Sequence, residues 1–380
     1  MKKNDSQLSW DFEHSHEEEG IERTDDSSDT LITNPFDPAK IDITQKSLTI
    51  DLLIKRLKEN EINLLTDFQR KGGLWDDVQQ SRLIESLMIR IPLPAFYFDG
   101  SNDNNWLVVD GLQRLTALKR FFIDQELKLF NMEYVTQFDG QTYNQLPRHI
   151  QRRIEETQII AFVINDGTPP EVKYNIFKRI NTGGVPLTPQ EIRHALNQGT
   201  ASTFLKKLAG TEEFLDATCH SIKSDRMEDR DFVLRFLAFS MTSYSEYFPD
   251  LENFLNSAMG LLNKKSKKEL EELENKFKNA MKSSREIFGD DAFRRRYKLE
   301  DNRKQINKAL FDTWSVNLGN LDNEQVKKLV INRDLIKDKF MKLMKNKRFD
   351  GAISQGTGDP RRVEFRFTRV EKIIKEVLKC

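Results

Sequence analysis

Apolar residues follow two regimes along this chain. Between about residues 45 and 200, short runs suited to strands alternate with stretches whose apolar positions recur every three or four residues. Beyond residue 201 almost only the helical spacing remains. "SLTIDLLIKRLKEN" sets Ile50, Leu53, Ile54 and Leu57 on one helical face, and "INLL" after it reads as a strand leading into a Gly-Gly loop. A second helix carries Leu83, Ile84, Leu87 and Met88 at the same spacing and is stopped by Pro92. "AFYF" (95–98) and "WLVV" (106–109) are short strands, and the Gly/Asn/Asp-rich turn between them predicts a hairpin. A helix from Gln113 then buries Leu115, Leu118 and Phe122. "TQIIAFVI" (157–164) predicts a central strand. "TPPE" (168–171) and "TPQE" (188–191) each predict a helix start. A threonine caps, a proline takes a position whose N–H would be unpaired anyway, and a glutamate returns a hydrogen bond.

Segments such as "DRDFVLRFLAFSMTSY", "KKELEELENKFKNAMKSSREIF", "NRKQINKALFDTWSVNL" and "VEFRFTRVEKIIKEVL" make the second half helical, the last after a Gly-rich break. The fold class is therefore α+β. The organisation expected is an acidic disordered tail (1–42), an α/β domain with a small sheet (43–200) and an α-helical domain (201–380).

Charge refines this picture. Lys+Arg and Asp+Glu are equal at 60 each, so the total predicts no bulk attraction to nucleic acid. The balance is uneven, because the first thirty residues hold ten acids against Lys2, Lys3 and Arg23. That segment has too few aliphatic residues to offset its ordering entropy and reads as a mobile tail. The rest is correspondingly basic, with exposed cationic surface expected in "FRRRYK" (293–298) and "KNKR" (345–348). Cys219 and Cys380 offer neither a disulfide framework nor metal-ligand spacing, and a reducing cytoplasm is the expected compartment. Membrane-length apolar runs and a secretory leader are not read in the sequence.

The chemistry centres on "VVDGLQR". A strand ending in Asp110-Gly111 puts a carboxylate at a sheet's edge, and the glycine admits close backbone approach. The helix after it aims free N–H groups and the positive end of its dipole at the same spot, which favours a phosphate. Arg114 is expected to add bidentate phosphate contacts, Asp110 to hold magnesium or orient water, and Gln113 to position a nucleophile. Two further loops repeat the idea: "FQRKGG" brings Gln69 and Arg70, and "RINTGG" brings Arg179, Asn181, Gly183 and Gly184. Convergence of the three would make one polar pocket; otherwise the glycines merely turn the chain and the arginines pair with nearby acids.

At these loops the sequence resembles the GmrSD-type restriction protein N-terminal domain, within the ParB/sulfiredoxin-like superfamily. The resemblance runs through "FQRKGGLWDDVQQSRLIESLMIRIPLPAFYFDG", "WLVVDGLQRLTAL" and "FKRINTGGVPLTPQEIRHALNQG", and on into "RMEDRDFVLRFLAF", covering about residues 45–240. It implies a ParB-like fold for the first domain and a site built on an Asp-Gly-Gln-Gln-Arg motif. It also implies binding or hydrolysis of a nucleoside triphosphate (GTP or ATP, with Mg2+), in defence against phage or modified DNA. The motif falls on Asp110, Gly111, Gln113 and Arg114, while its first glutamine is Leu112 here, which removes one polar group. The five histidines are scattered, so the His-Asn-His nuclease chemistry of DNA-cutting relatives is not expected, and a companion effector would supply it. Two functional readings remain open. One is an NTP-binding sensor whose helical half relays the nucleotide state; the other is a DNA-binding ParB-like module, or a weak nuclease, whose loops grip backbone phosphates without nucleotide turnover.

Overall fold

The structure, a computed structural model, describes residues 20–22, 38–64, 75–180 and 187–380. Two compact units form, Asn34–Leu196 and Asn197–Cys380, the latter joined by part of Met1–Thr33.

The first unit is built on a five-stranded sheet. Its strands are β1 (Ile43–Thr49), β2 (Ile62–Asn63), β3 (Phe96–Asp99), β4 (Trp106–Asp110) and β5 (Gln158–Ile164), in the order β1-β5-β3-β4-β2. β1 and β5 are antiparallel, β5 and β3 parallel, β3 and β4 antiparallel, β4 and β2 parallel, so the sheet is mixed. The 95–109 segment is the predicted hairpin, and β5 is the predicted interior strand.

Period-two alternation divides the two faces. Phe96, Phe98, Trp106 and Val108 point to one side, and Leu107 and Val109 to the other. The first side is covered by α1 (Ile50–Lys58), α2 (Asp77–Met88), α3 (Leu112–Phe122) and α4 (Arg148–Glu155). Their anchors include the predicted Leu53, Leu83, Leu87, Leu115 and Leu118. The second side is covered by α5 (Pro170–Ile180) and α6 (Pro189–Leu196) through Val172, Phe177 and Ile192.

Two local expectations resolve differently. β1 carries no signal in the sequence because only Leu48 of its seven residues is buried; an edge strand leaves little alternation to read. At 188–191 the capping box forms as expected, Thr188 N donating to Glu191 Oε2 (2.6 Å) and Glu191 N to Thr188 Oγ1 (3.2 Å). Thr168 instead accepts from Asp42 N (3.2 Å) and donates to Asp42 O (3.3 Å), tying the entry of β1 to the exit of β5.

A buried carboxylate fixes the loop after α3. Glu85, on α2, accepts from the backbone N–H groups of Glu133 (3.1 Å), Tyr134 (2.6 Å) and Val135 (3.1 Å). Burial by itself would raise its pKa; the three N–H donors outweigh it and hold the carboxyl below the usual glutamate range.

The second unit is helical, as expected: α7 (Thr200–Ala209), α8 (Glu212–Thr218), α9 (Glu228–Met241), α10 (Leu251–Asn263), α11 (Lys267–Phe288), α12 (Lys308–Gly319), α13 (Asn323–Ile331), α14 (Arg333–Met344), α15 (Lys347–Ser354) and α16 (Pro360–Lys379). α12 is its axis, buried from Ala309 through Leu318. Its polar residues are satisfied internally: Thr313 and Ser315 donate back to Ala309 O and Phe311 O, and Asn317 to Thr313 O. Asp312 binds Arg235 of α9 through two bonds of 2.8 and 2.6 Å, with Arg366 of α16 at 3.5 Å.

The expected cationic surface at 293–298 is corrected. Arg294 is buried, donating to Asp290 O, Lys304 O, Thr218 O and Ser221 Oγ. Arg295 pairs with Glu22 and Asp350 (both 2.7 Å), and Arg296 with Asp291 (3.0 Å). The free-tail expectation also fails at residues 20–22: Glu22 N donates to Ile306 O and Ile306 N to Gly20 O, in a parallel bridge to this unit. The half-buried Arg295 requires acceptors, and the nominally free acidic segment supplies one of them, Glu22. Within the expected tail Pro38–Lys40 also form a short 3-10 helix and Asp42 is bonded to Thr168, while residues 1–19 and 23–37 lie outside the described residues.

Glu85→Gln is expected to cost about 1–3 kcal/mol at pH 7, because an amide offers one acceptor oxygen where the carboxylate offers two. A depressed carboxyl pKa contributes stability above the unfolded value near 4.3 and loses it as pH falls through the lower folded value. The gap between wild type and Glu85→Gln in urea denaturation should therefore shrink in that acidic window. A gap that widened on acidification would contradict the assignment.

Candidate functional site

β4 approaches its end irregularly. Asp99 faces Leu107 and Phe98 faces Val108, but Tyr97 faces Asp110, so Val109 has no residue opposite it. Such an extra residue bends the strand and re-aims the next side chain along it, here Asp110. Gly111 then turns with φ +101°, and α3 begins at Leu112. A Cβ on Gly111 would lie 2.5 Å from Phe96 Cδ1, so both the backbone and the packing demand glycine. The close approach it permits is to an aromatic ring of the core. Gly111, at the N-cap of α3, has no side chain with which to cap it, and none of the described residues supplies one.

Arg114 sits one turn in. Its guanidinium folds back beneath the strand: Nη1 donates to Pro94 O, and Nη2 donates to Ala95 O (3.1 Å) and Asp110 Oδ2 (2.9 Å). It also stacks 4.4 Å from the centroid of the Phe96 ring. The residue is 8% exposed. Burial draws its pKa below the ordinary arginine range while the Asp110 carboxylate opposes that fall, and the group stays cationic. Arg114 is thus a brace between residues 94–96 and Asp110. This differs from the expected anchor at the helix mouth: a desolvated guanidinium must find acceptors, and the carbonyls of Pro94 and Ala95 provide them.

Asp110 is half-buried, its Oδ2 held by Arg114; among the described residues none donates to Oδ1. Gln113 accepts from Trp75 N through Oε1 (3.2 Å), which tethers the start of α2 to the first turn of α3. Trp75 O in turn accepts from Gln80 Nε2 (2.7 Å), and Asp76 and Gln79 form a capping box on α2. Leu112, where the motif would have glutamine, is half-buried and packs on the core cluster that also takes Trp75 and Leu64. Hydrocarbon packing therefore replaces one polar group.

The other expected site residues divide. Gln69, Arg70, Asn181, Gly183 and Gly184 lie outside the described residues. Asn63 at the end of β2 pairs beside Leu107 of β4, so residues 64 and 75, which bracket the first loop, border the β4–α3 turn. Arg179 is exposed near the end of α5, with no hydrogen-bond or ion-pair partner among the described residues. The neighbouring Ile180 packs on the apolar cluster that holds Val109, next to Asp110.

Sequence reasoning missed two polar groups on α6. Gln190 and Arg193 are almost wholly buried, Arg193 Nη1 donating to Gln190 Oε1 (3.0 Å). Their i, i+3 spacing gives both one face of a short helix, but the capping motif drew attention to Thr188 and Glu191. Lys173, buried on α5, is likewise committed, to Asp99 (3.4 Å) and Ser101.

Among the described residues no three His, Cys, Asp or Glu side chains gather as a metal-binding group. A magnesium ion here would take one protein carboxylate, Asp110, with its other ligands from phosphate oxygens and water, a coordination this hard ion tolerates. No described helix is long and apolar enough to cross a membrane.

Residues 51–197 match the family described as GmrSD restriction endonuclease, N-terminal domain, which covers the whole β4–α3 turn and both flanking loops. No curated protein and no solved structure gives a significant match to the chain.

Arg114→Ala is expected to lower stability by about 2–4 kcal/mol, since it removes the donor from two part-buried carbonyls and leaves the half-buried Asp110 carboxylate without its counter-charge. Asp110→Asn, which keeps an acceptor for Nη2, should cost clearly less. Thermal unfolding followed by circular dichroism would report both, and an Arg114→Ala protein melting like wild type would refute the brace.

Proposed function

We propose, with residues 51–197 being a GmrSD restriction endonuclease N-terminal domain, that this protein serves a restriction system by binding nucleoside triphosphate at the turn from β4 into α3. The observation that carries the reading is the rigidity of that turn. Arg114 locks Asp110 at a fixed angle, Gly111 brings the backbone tightly round, and α3 begins without a side-chain cap. The first N–H groups of an uncapped helix, with the positive end of its dipole, favour phosphate oxygens.

The roles derive from the atoms. The α3 first turn binds phosphate. Asp110 Oδ1 is the carboxylate oxygen left for magnesium or for a water molecule, and magnesium, when bound, would neutralise phosphate charge there. Gln113, held by its bond from Trp75 N at the first turn of α3, is the motif residue that would position the nucleophile. Arg114 acts through Asp110 as a positioning residue. Cationic contacts would come from Arg179 and, on the family motif, from Arg70, with Gln69, Asn181, Gly183 and Gly184 completing the loops around the phosphates. GTP and ATP are the candidate substrates, with hydrolysis by attack of water on the terminal phosphorus. The bond from that phosphorus to the bridging oxygen breaks, so that the nucleoside diphosphate leaves and orthophosphate carries the water's oxygen.

Purified full-length protein should melt higher with one of these nucleotides and Mg2+, by the equivalent of about 2.7 kcal/mol at a ligand concentration one hundred times Kd. Asp110→Asn should reduce turnover by about a hundredfold or more, with near-normal unfolding. Gln113→Ala should lower kcat while leaving nucleotide stabilisation largely intact. Absence of both stabilisation and hydrolysis for every nucleoside triphosphate, with and without DNA, would remove the proposal.

A further inference from the structure

The second unit carries a cationic surface that the nucleotide site does not use. Between Lys345 and Cys380 there are ten Lys/Arg residues and five Asp/Glu. Many arginines elsewhere in this unit are consumed internally: Arg235, Arg294, Arg295 and Arg366 all bind acids or carbonyls. Arg348 and Arg369 are different. Both are exposed, neither forms an ion pair among the described residues, and both stack on one half-buried ring, Phe365, at 4.3 and 5.0 Å from its centroid.

This stack begins an open groove along α16 that continues past Lys372 and Lys375 to Lys379. Two acids also line it and both are engaged: Glu371 by Lys375 (2.5 Å), and Glu376 by Lys339 (2.6 Å) and Lys372 (3.9 Å). Lys345, Lys347, Arg361 and Lys379 have no acidic partner among the described residues, which leaves Glu364 as the exposed acid nearby without one. From Arg361 to Lys379 the helix spans about 27 Å at about 1.5 Å per residue, so the cations form a line rather than a spot.

We infer that this line, centred on Arg348, Phe365 and Arg369, binds the phosphate backbone of a nucleic acid. Guanidinium groups held over a ring keep N–H donors free for oxygen acceptors, at a reduced entropic cost. A nucleic acid presents phosphates in a row, matching a linear array of cations better than a compact ligand would. A bilayer fits poorly. The apolar stripe of α16 (Val363, Phe367, Val370, Ile373, Ile374, Val377) is buried in the unit's own core, and no large apolar side chain is exposed on α15 or α16. The same shortage of exposed apolar surface disfavours a protein partner, whose interface needs an apolar centre.

The test uses full-length protein and fluorescently labelled twenty-nucleotide DNA, single-stranded and duplex, titrated from about 50 to 200 mM salt. Binding should weaken linearly on a log–log plot. The double variant Arg348→Gln/Arg369→Gln should bind about tenfold or more weakly, with a salt slope smaller by about two. Lys372→Gln/Lys379→Gln, away from the stack, gives an independent second reading in the same direction. Circular dichroism should show all variants folded, since these side chains are exposed.

Unchanged affinity in both variants, or loss of DNA binding only in Gln113→Ala, would overturn the inference by moving nucleic acid elsewhere. So would preferential binding to anionic lipid vesicles. None of these outcomes depends on nucleotide turnover, so the surface and the nucleotide site succeed or fail separately.

Discussion

The β4–α3 turn depends on one buried cation. Arg114 lies where water cannot solvate it, so its donors must end on protein acceptors, and the available ones come from three places in the chain: the approach to β3, the end of β4 and the ring of Phe96. That constraint fixes where the hairpin begins, how Asp110 is turned and why residue 111 has no side chain. A motif arginine can therefore act by holding its neighbours in place. Its contribution is to hold a carboxylate and a helix start in one relation, which is the kind of preorganisation on which electrostatic binding depends.

The second unit solves a similar problem around Asp312. There a carboxylate is buried between Arg235 and Arg366 on the central helix, among residues such as Trp314 and Phe311 that provide the apolar bulk. A buried pair of this kind adds little net stability compared with hydrocarbon of the same size, but breaking it leaves an uncompensated charge. Its evident structural consequence is alignment: α9, α12 and α16 can meet in one register only, the one that brings two guanidinium groups to the same carboxylate.

Net neutrality in this chain conceals a sorting of arginines by environment. Those of "FRRRYK" are used internally, one of them clasping Glu22 from the acidic N-terminal segment. Arg348 and Arg369, less conspicuous in sequence, stay at the surface because Phe365 offers them a ring rather than an acid. Local density of positive charge in a sequence is thus a poor guide to cationic surface. The deciding factor is whether a carboxylate or a row of carbonyls lies within reach in three dimensions.

Much of the architecture was already legible in one dimension. The hairpin, the interior strand β5, the capped start of α6 and the all-helical second half followed from periodicity, turn residues and capping chemistry, each of which acts between near neighbours. The motif at residues 110–114 was legible too, down to the glycine. Tertiary structure decided the rest, because it turned on partners distant in sequence. β1 is an edge strand visible only through its pairing with β5, Thr168 binds Asp42 in preference to its own helix, and Leu112 packs on the same core cluster as Trp75. A residue's chemistry is local, but the partner that commits it is not. That is why the sequence by itself located the turn around Asp110 and Gly111, while only the folded chain could determine that Arg114 faces inward.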